Sequence, residues 1–224
     1  MKWIENFDLF LFDFDGLLVN TEPLHYEAFK EMLKNKGFDL DWNYFEYSKE
    51  AHVGGDNLKR STYEKFPALF DMESSWEALR AEKGELYLKL SAMGQFNLMP
   101  GVEELLQVIK DKKSVIVTNS TKEQVDFIRA KLPILKMIDH VVSREQYLKP
   151  KPSPECYLRA IELYGNKGDK IIGFEDTIKG FKALNQTPLV PVLICCANHP
   201  QLENLLGEQF FHYESFLDIE ENFK

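Results

Sequence analysis

An apolar run near the start of the chain ends in two carboxylates and a glycine, and this feature constrains the fold most. The run, LFLF after Asp8, is short and rich in Leu and Phe, which is typical of a buried strand that a turn then ends. Asp13 and Asp15 follow it, and Gly16 permits the turn. Two acids so close together at the end of a buried strand repel each other, so they need a cation or a shared proton. This stretch alone leaves open whether it is an acidic loop or a functional site.

Composition limits the kinds of partner that the protein can have. The 224 residues are 44% apolar, and no apolar run approaches the roughly 20 residues that span a bilayer. A net charge of -9 argues against nucleic acid as the main partner. Three cysteines, two of them adjacent, make no disulfide framework, and the start of the chain lacks a signal-peptide pattern. We expect a cytoplasmic protein with a small-molecule ligand, no nucleic acid and no membrane, and a monomer by default.

Two different patterns follow the first strand. Residues 19–95 show helical apolar spacing, as in Leu24, Ala28 and Met32, and little strand signal. From Pro100 onward, short apolar runs alternate with helical segments, which predicts a parallel sheet covered on both faces. The further strands are predicted at residues 114–118, 140–142, 170–174, 189–195 and 210–213. The fold class is therefore α/β, with a Rossmann-like core of residues 1–18 and 96–224 and an inserted all-helical domain of residues 19–95.

Polar side chains stand at the carboxyl ends of the predicted strands, where ligands bind in such sheets. After the first pair of acids, these are Thr118, Asn119, Ser120, Lys149, Lys151, Glu175 and Asp176. Ser120 and Glu123 also match a capping box that would begin a helix after the strand. The topology predicts that these side chains converge at one edge of the sheet.

The acidic members of this set fit a metal-assisted phosphoryl transfer. Asp13, Asp176 and Glu175 would make an all-oxygen site that suits Mg²⁺. The metal would neutralise the repulsion between an anionic substrate and the carboxylate of Asp13, which could then attack phosphorus and form an aspartyl phosphate. Asp15 could give a proton to the leaving oxygen and later take one from the attacking water.

The remaining members fit the binding of a phosphoryl group. Thr118 and the backbone N–H groups at the helix start after it could hold phosphoryl oxygens. Lys151 would add fixed positive charge, and Lys149, two residues earlier, competes with it for this role.

Four segments, DFDGLLVNTE, VTNS, KPSPECY and GFEDTIKG, resemble in that order the four motifs of the haloacid dehalogenase superfamily. The helical insert after the first motif resembles the subfamily with a helical cap, which includes beta-phosphoglucomutase-like and phosphoglycolate-phosphatase-like enzymes. The resemblance implies a Mg²⁺-dependent phosphatase for a small phosphorylated metabolite such as a sugar phosphate. It implies that Asp13 is the nucleophile, Asp15 the acid/base, Thr118 and Lys151 phosphate ligands and Asp176 a metal ligand.

The resemblance also implies roles for other residues. The backbone carbonyl of Asp15 would join the metal, and Glu175 would do so either directly or through water. Gly16 and Asn119 are expected beside the phosphate. A histidine at the place of His25 lies near the acid/base in beta-phosphoglucomutase-like proteins, and a surface histidine on a cap helix is the alternative.

Two other functions remain open. A beta-phosphoglucomutase-like enzyme would share the chemistry at Asp13 but pass the aspartyl phosphate to a second sugar phosphate. Such mutases carry a basic residue in a cap loop that here reads GDN after Gly54, so the sequence favours a phosphatase. In the family this cap loop reaches into the cleft and selects substrate, and a plain connecting loop is the alternative. The third reading is a non-catalytic phosphometabolite-binding protein, which would have no need of Asp13 and Asp15 together.

Overall fold

The structure, a computed structural model, describes residues 2–53, 55–197, 202–205 and 210–219. The described residues fall into two compact units, one formed by those up to Asn20 with those from Phe96 onward, and one by Thr21–Gln95. The cap loop predicted at Gly54 begins at a residue outside the described ranges. Within those ranges, every helix is too short or too polar to cross a bilayer.

A parallel sheet organises the first unit. Its described strands are β1 (Leu9–Phe12), β2 (Lys113–Val117), β3 (His140–Val142), β4 (Ile171–Glu175), β5 (Val190–Ile194) and β6 (Phe211–Tyr213). They lie in the order β3-β2-β1-β4-β5-β6, and every neighbouring pair is parallel. The predicted α/β core is confirmed, and the boundaries of the strands from β2 to β6 lie within one residue of the prediction.

The position of β1 in this order explains where a site forms. β1 lies between β2 and β4, so the chain runs outward from it in both directions. Ligands in open α/β sheets bind at such a switch point, outside the carboxyl ends of the strands. The two acids that follow β1 therefore lie at the most favourable place in the sheet for a site.

Both faces of β1 are buried, as expected of a central parallel strand. Leu9 and Leu11 pack in one apolar cluster with Val115. Because side chains alternate along a strand, Phe12 points to the other face, where its ring stacks on Phe174 with 5.2 Å between centroids. This packing fixes the end of β1 on both sides.

The helices begin and end as follows, in chain order: α1 (Glu22–Asn35), α2 (Tyr44–Val53), α3 (Gly55–Lys65), α4 (Pro67–Met72), α5 (Trp76–Met93), α6 (Val102–Val108), α7 (Lys122–Lys131), α8 (Glu155–Tyr164) and α9 (Ile178–Leu184). Helices α1 to α5 form the second unit around buried residues that include Phe29, Leu33, Trp76 and Leu79. No strand occurs in the described part of this unit, and the predicted all-helical insert is confirmed.

The predicted start of α7 is wrong by one residue. Thr121, not Ser120, caps the helix, and its capping box is formed with Gln124 rather than with Glu123. The two hydroxyls lie side by side in the sequence, and each has an acceptor three residues later. The hydroxyl of Ser120 instead donates to Asp15, so a contact between distant parts of the chain decides which of them caps.

Candidate active site

The two acids after β1 are displayed at the carboxyl edge of the sheet. Asp13 is buried, and its N–H donates to Phe174 O at 3.0 Å, which continues the ladder to β4 one residue past the strand. Gly16 adopts a φ of 83°, in the left-handed region that favours glycine, and its N–H donates to Val19 O at 2.9 Å. The chain therefore turns directly after Asp15, as the sequence indicates.

The ammonium of Lys151 lies at the centre of a buried network. Its Nζ donates to Asp13 Oδ1, to Glu175 Oε1 at 2.6 Å and to Val117 O at 2.8 Å. An ammonium carries three hydrogens, so these acceptors use all of them. Burial alone would lower the pKa of Lys151, but the carboxylates of Asp13 and Glu175 raise that pKa well above its usual value. Lys151 is therefore a fixed positive charge.

One ammonium faces two buried carboxylates, which leaves an excess of negative charge. Burial, together with the charges of Glu175 and Asp15, raises the pKa of Asp13 to about 8, although Lys151 acts in the opposite direction. A carboxylate in this environment gains from a second positive charge nearby.

Three carboxylates are placed to hold a cation. Asp13, Glu175 and Asp176 each offer an oxygen atom within 4.8 Å of the other two. Glu175 is fully buried, and its Oε2 has no hydrogen-bond partner among the described residues. A buried carboxylate oxygen without a partner is costly, and a hard cation or its bound water would satisfy it. The residues present therefore fit Mg²⁺.

Asp15 directs its side chain into a different network. Its Oδ2 accepts from Ser120 Oγ at 2.6 Å and from Thr118 Oγ1 at 3.3 Å, and Thr118 Oγ1 accepts from Ser120 N at 3.0 Å. The adjacency of β1 and β2 brings these groups together. Sequence reasoning missed the contact of Ser120, because a hydroxyl before a helix reads equally well as a cap.

Asn119 links the end of β2 to the loop that carries the lysine. Its Oδ1 lies 2.7 Å from the hydroxyl of Tyr147 and accepts from Lys151 N at 3.3 Å. The same hydroxyl of Tyr147 lies 2.7 Å from Thr118 O. Lys149 is exposed, so of the two competing lysines it is Lys151 that reaches the carboxylates.

Two further residues contact the carboxylate of Glu175, and the sequence did not single out either of them. Tyr157 donates its hydroxyl to Glu175 Oε1 at 2.5 Å, and the Lys151 Nζ lies 4.8 Å from the centroid of its ring. A Cβ at Gly180 would lie 2.0–2.1 Å from the carboxylate atoms of Glu175. The helical period marks Tyr157 as inward-facing but does not reveal a polar partner.

His25 belongs to the helical unit. Its Nδ1 lies 3.1 Å from Lys83 Nζ, and its ring stacks on Tyr87 with 4.2 Å between centroids. These contacts place His25 between two residues of α5. The role of His25 beside the acid/base stays a prediction.

Comparison with known proteins identifies the family. The model of the family described as haloacid dehalogenase-like hydrolase matches residues 7–186. Protein CbbY from Rhodobacter capsulatus is 27% identical over 188 residues, which cover 82% of this chain and 83% of that protein. A phosphorylated carbohydrates phosphatase from Thermotoga maritima is 26% identical over 183 residues, which cover 77% of this chain and 78% of that protein.

Solved structures share the fold. A CbbY variant from Rhodobacter sphaeroides in complex with xylulose-(1,5)bisphosphate has a TM-score of 0.74 at 21% identity, covering 95% of this chain and 96% of that one. A beta-phosphoglucomutase from Clostridium difficile has a TM-score of 0.72 at 22% identity, covering 96% and 93%. The family match spans most of the chain and includes all four motifs. The chain belongs to the haloacid dehalogenase-like hydrolases.

Proposed function

We propose that the protein is a Mg²⁺-dependent phosphatase that hydrolyses a small phosphorylated metabolite, and that a sugar phosphate is the substrate class. The observation that carries the proposal is the contact of Asp13 with Lys151 beside two carboxylates that could share one cation. The names of the relatives, a phosphorylated carbohydrates phosphatase among them, support this substrate class.

Asp13 supplies the nucleophile in this proposal. Its carboxylate attacks phosphorus, the bond from phosphorus to the leaving oxygen breaks, and an aspartyl phosphate forms on Asp13. Lys151 places positive charge next to the reacting carboxylate, which favours the ionised form that attack requires. When bound by Asp13, Glu175 and Asp176, Mg²⁺ would supply the charge that lets an anionic substrate approach a carboxylate.

Asp15 moves the protons. It gives a proton to the leaving oxygen in the first half of the reaction and takes one from the attacking water in the second, which releases phosphate and restores Asp13. The hydroxyls of Ser120 and Thr118 hold its Oδ2 at the edge of the sheet. We assign Thr118, Asn119 and Gly16 to the surroundings of the transferred phosphoryl group.

The test is phosphate release from a panel of small phosphomonoesters, with and without Mg²⁺, by the native protein and by Asp13→Asn. Asp8→Asn is a matched control, because Asp8 stands at the opposite end of β1, where its Oδ2 accepts from Lys170 N at 2.9 Å. We expect release that requires Mg²⁺, vanishes in Asp13→Asn and persists in Asp8→Asn. No release by the native protein would contradict the proposal, and an isomerised sugar phosphate without free phosphate would identify a mutase instead.

We further propose that the protein works as a cytoplasmic monomer without nucleic acid. Cys156, Cys195 and Cys196 are free thiols, which suits a reducing compartment. Light scattering on a sizing column tests the monomer, since a mass of twice 26.1 kDa would contradict it.

A further inference from the structure

The two oxygens of Glu175 have different surroundings, and the hydroxyl of Tyr157 is one cause of the difference. Oε1 receives two donors, Tyr157 Oη at 2.5 Å and Lys151 Nζ at 2.6 Å. Oε2 receives none from the described residues, and it belongs to the carboxylate that lies with Asp13 and Asp176. The two oxygens of a carboxylate are chemically equal, so this difference is imposed by the surroundings.

Of the two donors, only Tyr157 donates to Glu175 alone. Lys151 shares its three hydrogens among Asp13, Val117 and Glu175, whereas the single hydroxyl hydrogen of Tyr157 goes to Glu175. The contact from Tyr157 therefore serves Glu175 alone, whereas the contact from Lys151 is one of three.

Close packing restricts the geometry of this contact. Tyr157 is fully buried in the apolar cluster between α8 and the sheet. Gly180 of α9 also lies directly against the carboxylate, since a Cβ there would be 2.0 Å from the carboxyl carbon of Glu175. The terminal torsion of a Glu side chain is soft, so a hydrogen bond from a buried ring restricts the rotation of the carboxylate.

We propose that Tyr157 is a positioning residue for the metal site and acts through Glu175. Its hydroxyl holds Oε1, so that Oε2 faces the space that Asp13 and Asp176 share. The inference rests on the metal site of the proposed function and adds a residue to it. Outer-shell hydrogen bonds of this kind change metal affinity by about 10- to 100-fold when they are removed.

The first test compares the binding of Mn²⁺, which prefers the same oxygen ligands as Mg²⁺, by the native protein and Tyr157→Phe. Electron paramagnetic resonance counts the free ion. Tyr164→Phe is the matched control, because Tyr164 lies at the other end of α8 and its backbone carbonyl, not its hydroxyl, accepts from Lys113. We expect about tenfold weaker binding by Tyr157→Phe and native binding by Tyr164→Phe.

A double variant separates positioning from general loosening of the fold. If Tyr157 acts through Glu175, then Tyr157→Phe in a Glu175→Gln background weakens Mn²⁺ binding by less than twofold further. Additive losses would mean that the hydroxyl acts by another route, and would overturn the inference. Native binding by Tyr157→Phe would overturn it too. If the native protein itself binds no Mn²⁺, the metal site fails, and the inference fails with it.

A second measurement leaves the hydroxyl in place, so it does not depend on a variant that tolerates its loss. 3-Fluorotyrosine is placed at position 157 or at position 164, and its ¹⁹F resonance is followed during a Mg²⁺ titration. We expect the signal at 157 to shift with the same midpoint as metal binding and the signal at 164 to stay constant. A constant signal at 157 during saturable binding would contradict the proposal.

Discussion

Ser120 Oγ donates to Asp15 Oδ2 at 2.6 Å and so joins the end of β2 to the loop after β1. The acid/base role proposed for Asp15 requires that its carboxylate be held in place, and Ser120 Oγ approaches Oδ2 more closely than Thr118 Oγ1 does, at 2.6 Å against 3.3 Å. We predict that Ser120→Ala lowers kcat by about 3- to 10-fold, the equivalent of one ordinary hydrogen bond, and leaves KM nearly unchanged. Steady-state kinetics on the substrate found in the panel measures this.

The control for this prediction is Ser120→Thr, which keeps a hydroxyl at the same place. Its kcat should stay within about twofold of the native value. Equal losses in both variants would mean that the size of the side chain matters, not its hydrogen bond.

Gly180→Ala should destabilise the protein because the new Cβ would overlap the buried carboxylate of Glu175. Overpacking of this kind costs about 1–3 kcal/mol of the free energy of unfolding, measured by urea denaturation. Gly84→Ala in α5 is the opposite case, since beyond its chain neighbours and the backbone of its own helix, no atom of the described residues lies within 4 Å of the added Cβ. There the same substitution should stabilise the protein by about 0.5–1 kcal/mol. A Gly180→Ala variant as stable as Gly84→Ala would contradict the tight fit at Glu175.

Lys151→Met should lower the free energy of unfolding by about 3–5 kcal/mol, because it leaves two buried carboxylates without their ammonium. Lys149→Met removes an exposed lysine from the same loop and should change stability by less than about 0.5 kcal/mol. Chemical denaturation of both variants makes the comparison. Similar losses in the two would show that loop geometry, and not charge pairing, is responsible.

Glu155 should make the free energy of unfolding depend on pH in the acidic range. Its carboxylate accepts from Leu148 N at 2.6 Å and Lys149 N at 3.0 Å, and these bonds hold its pKa below the usual value. A group whose pKa is lower in the folded state binds its proton first in the unfolded chain. Its contribution is therefore present above the unfolded pKa, about 4.3, and is lost as pH falls through the folded value.

The measurement is the free energy of unfolding of the native protein and of Glu155→Gln across the acidic range. Glu155→Gln should be the less stable at about pH 7, and the difference should shrink as pH falls below about 4. A difference that is constant over the whole range would show that the charge of Glu155 is not involved.

Much of the fold could be predicted because each strand is recognisable from a short stretch of sequence. A buried parallel strand is a short apolar run, and LFLF before Asp13 needs no tertiary information to be recognised. The acids at the carboxyl ends of β1 and β4 could be predicted to meet for the same reason, since parallel strands end at one edge of the sheet. Ser120 and Thr121 satisfy the same local rule for a helix cap, so only the contact with Asp15 distinguishes them.

Tyr157 and Gly180 show what periodicity leaves out. An inward-facing Tyr on an amphipathic helix is usually an ordinary core residue. The sequence does not show that the hydroxyl of Tyr157 donates to Glu175, because Glu175 lies on a different element, β4. Gly180 lies inside α9, where a glycine reads as a weak helix position. Only the structure shows why a glycine is required there, because the carboxylate of Glu175 occupies the space that a Cβ would fill.

The three hydrogens of Lys151 are all in use in the structure. An arriving oxyanion can therefore gain a hydrogen bond from this ammonium only by displacing Asp13, Glu175 or the carbonyl of Val117. The free energy of that contact would be the difference between two hydrogen bonds rather than the full strength of one, so we expect the ammonium to hold a free inorganic anion weakly. In the phosphatase proposed above, whose product would be such an anion, a weak hold would mean rapid departure of the product and little inhibition by it.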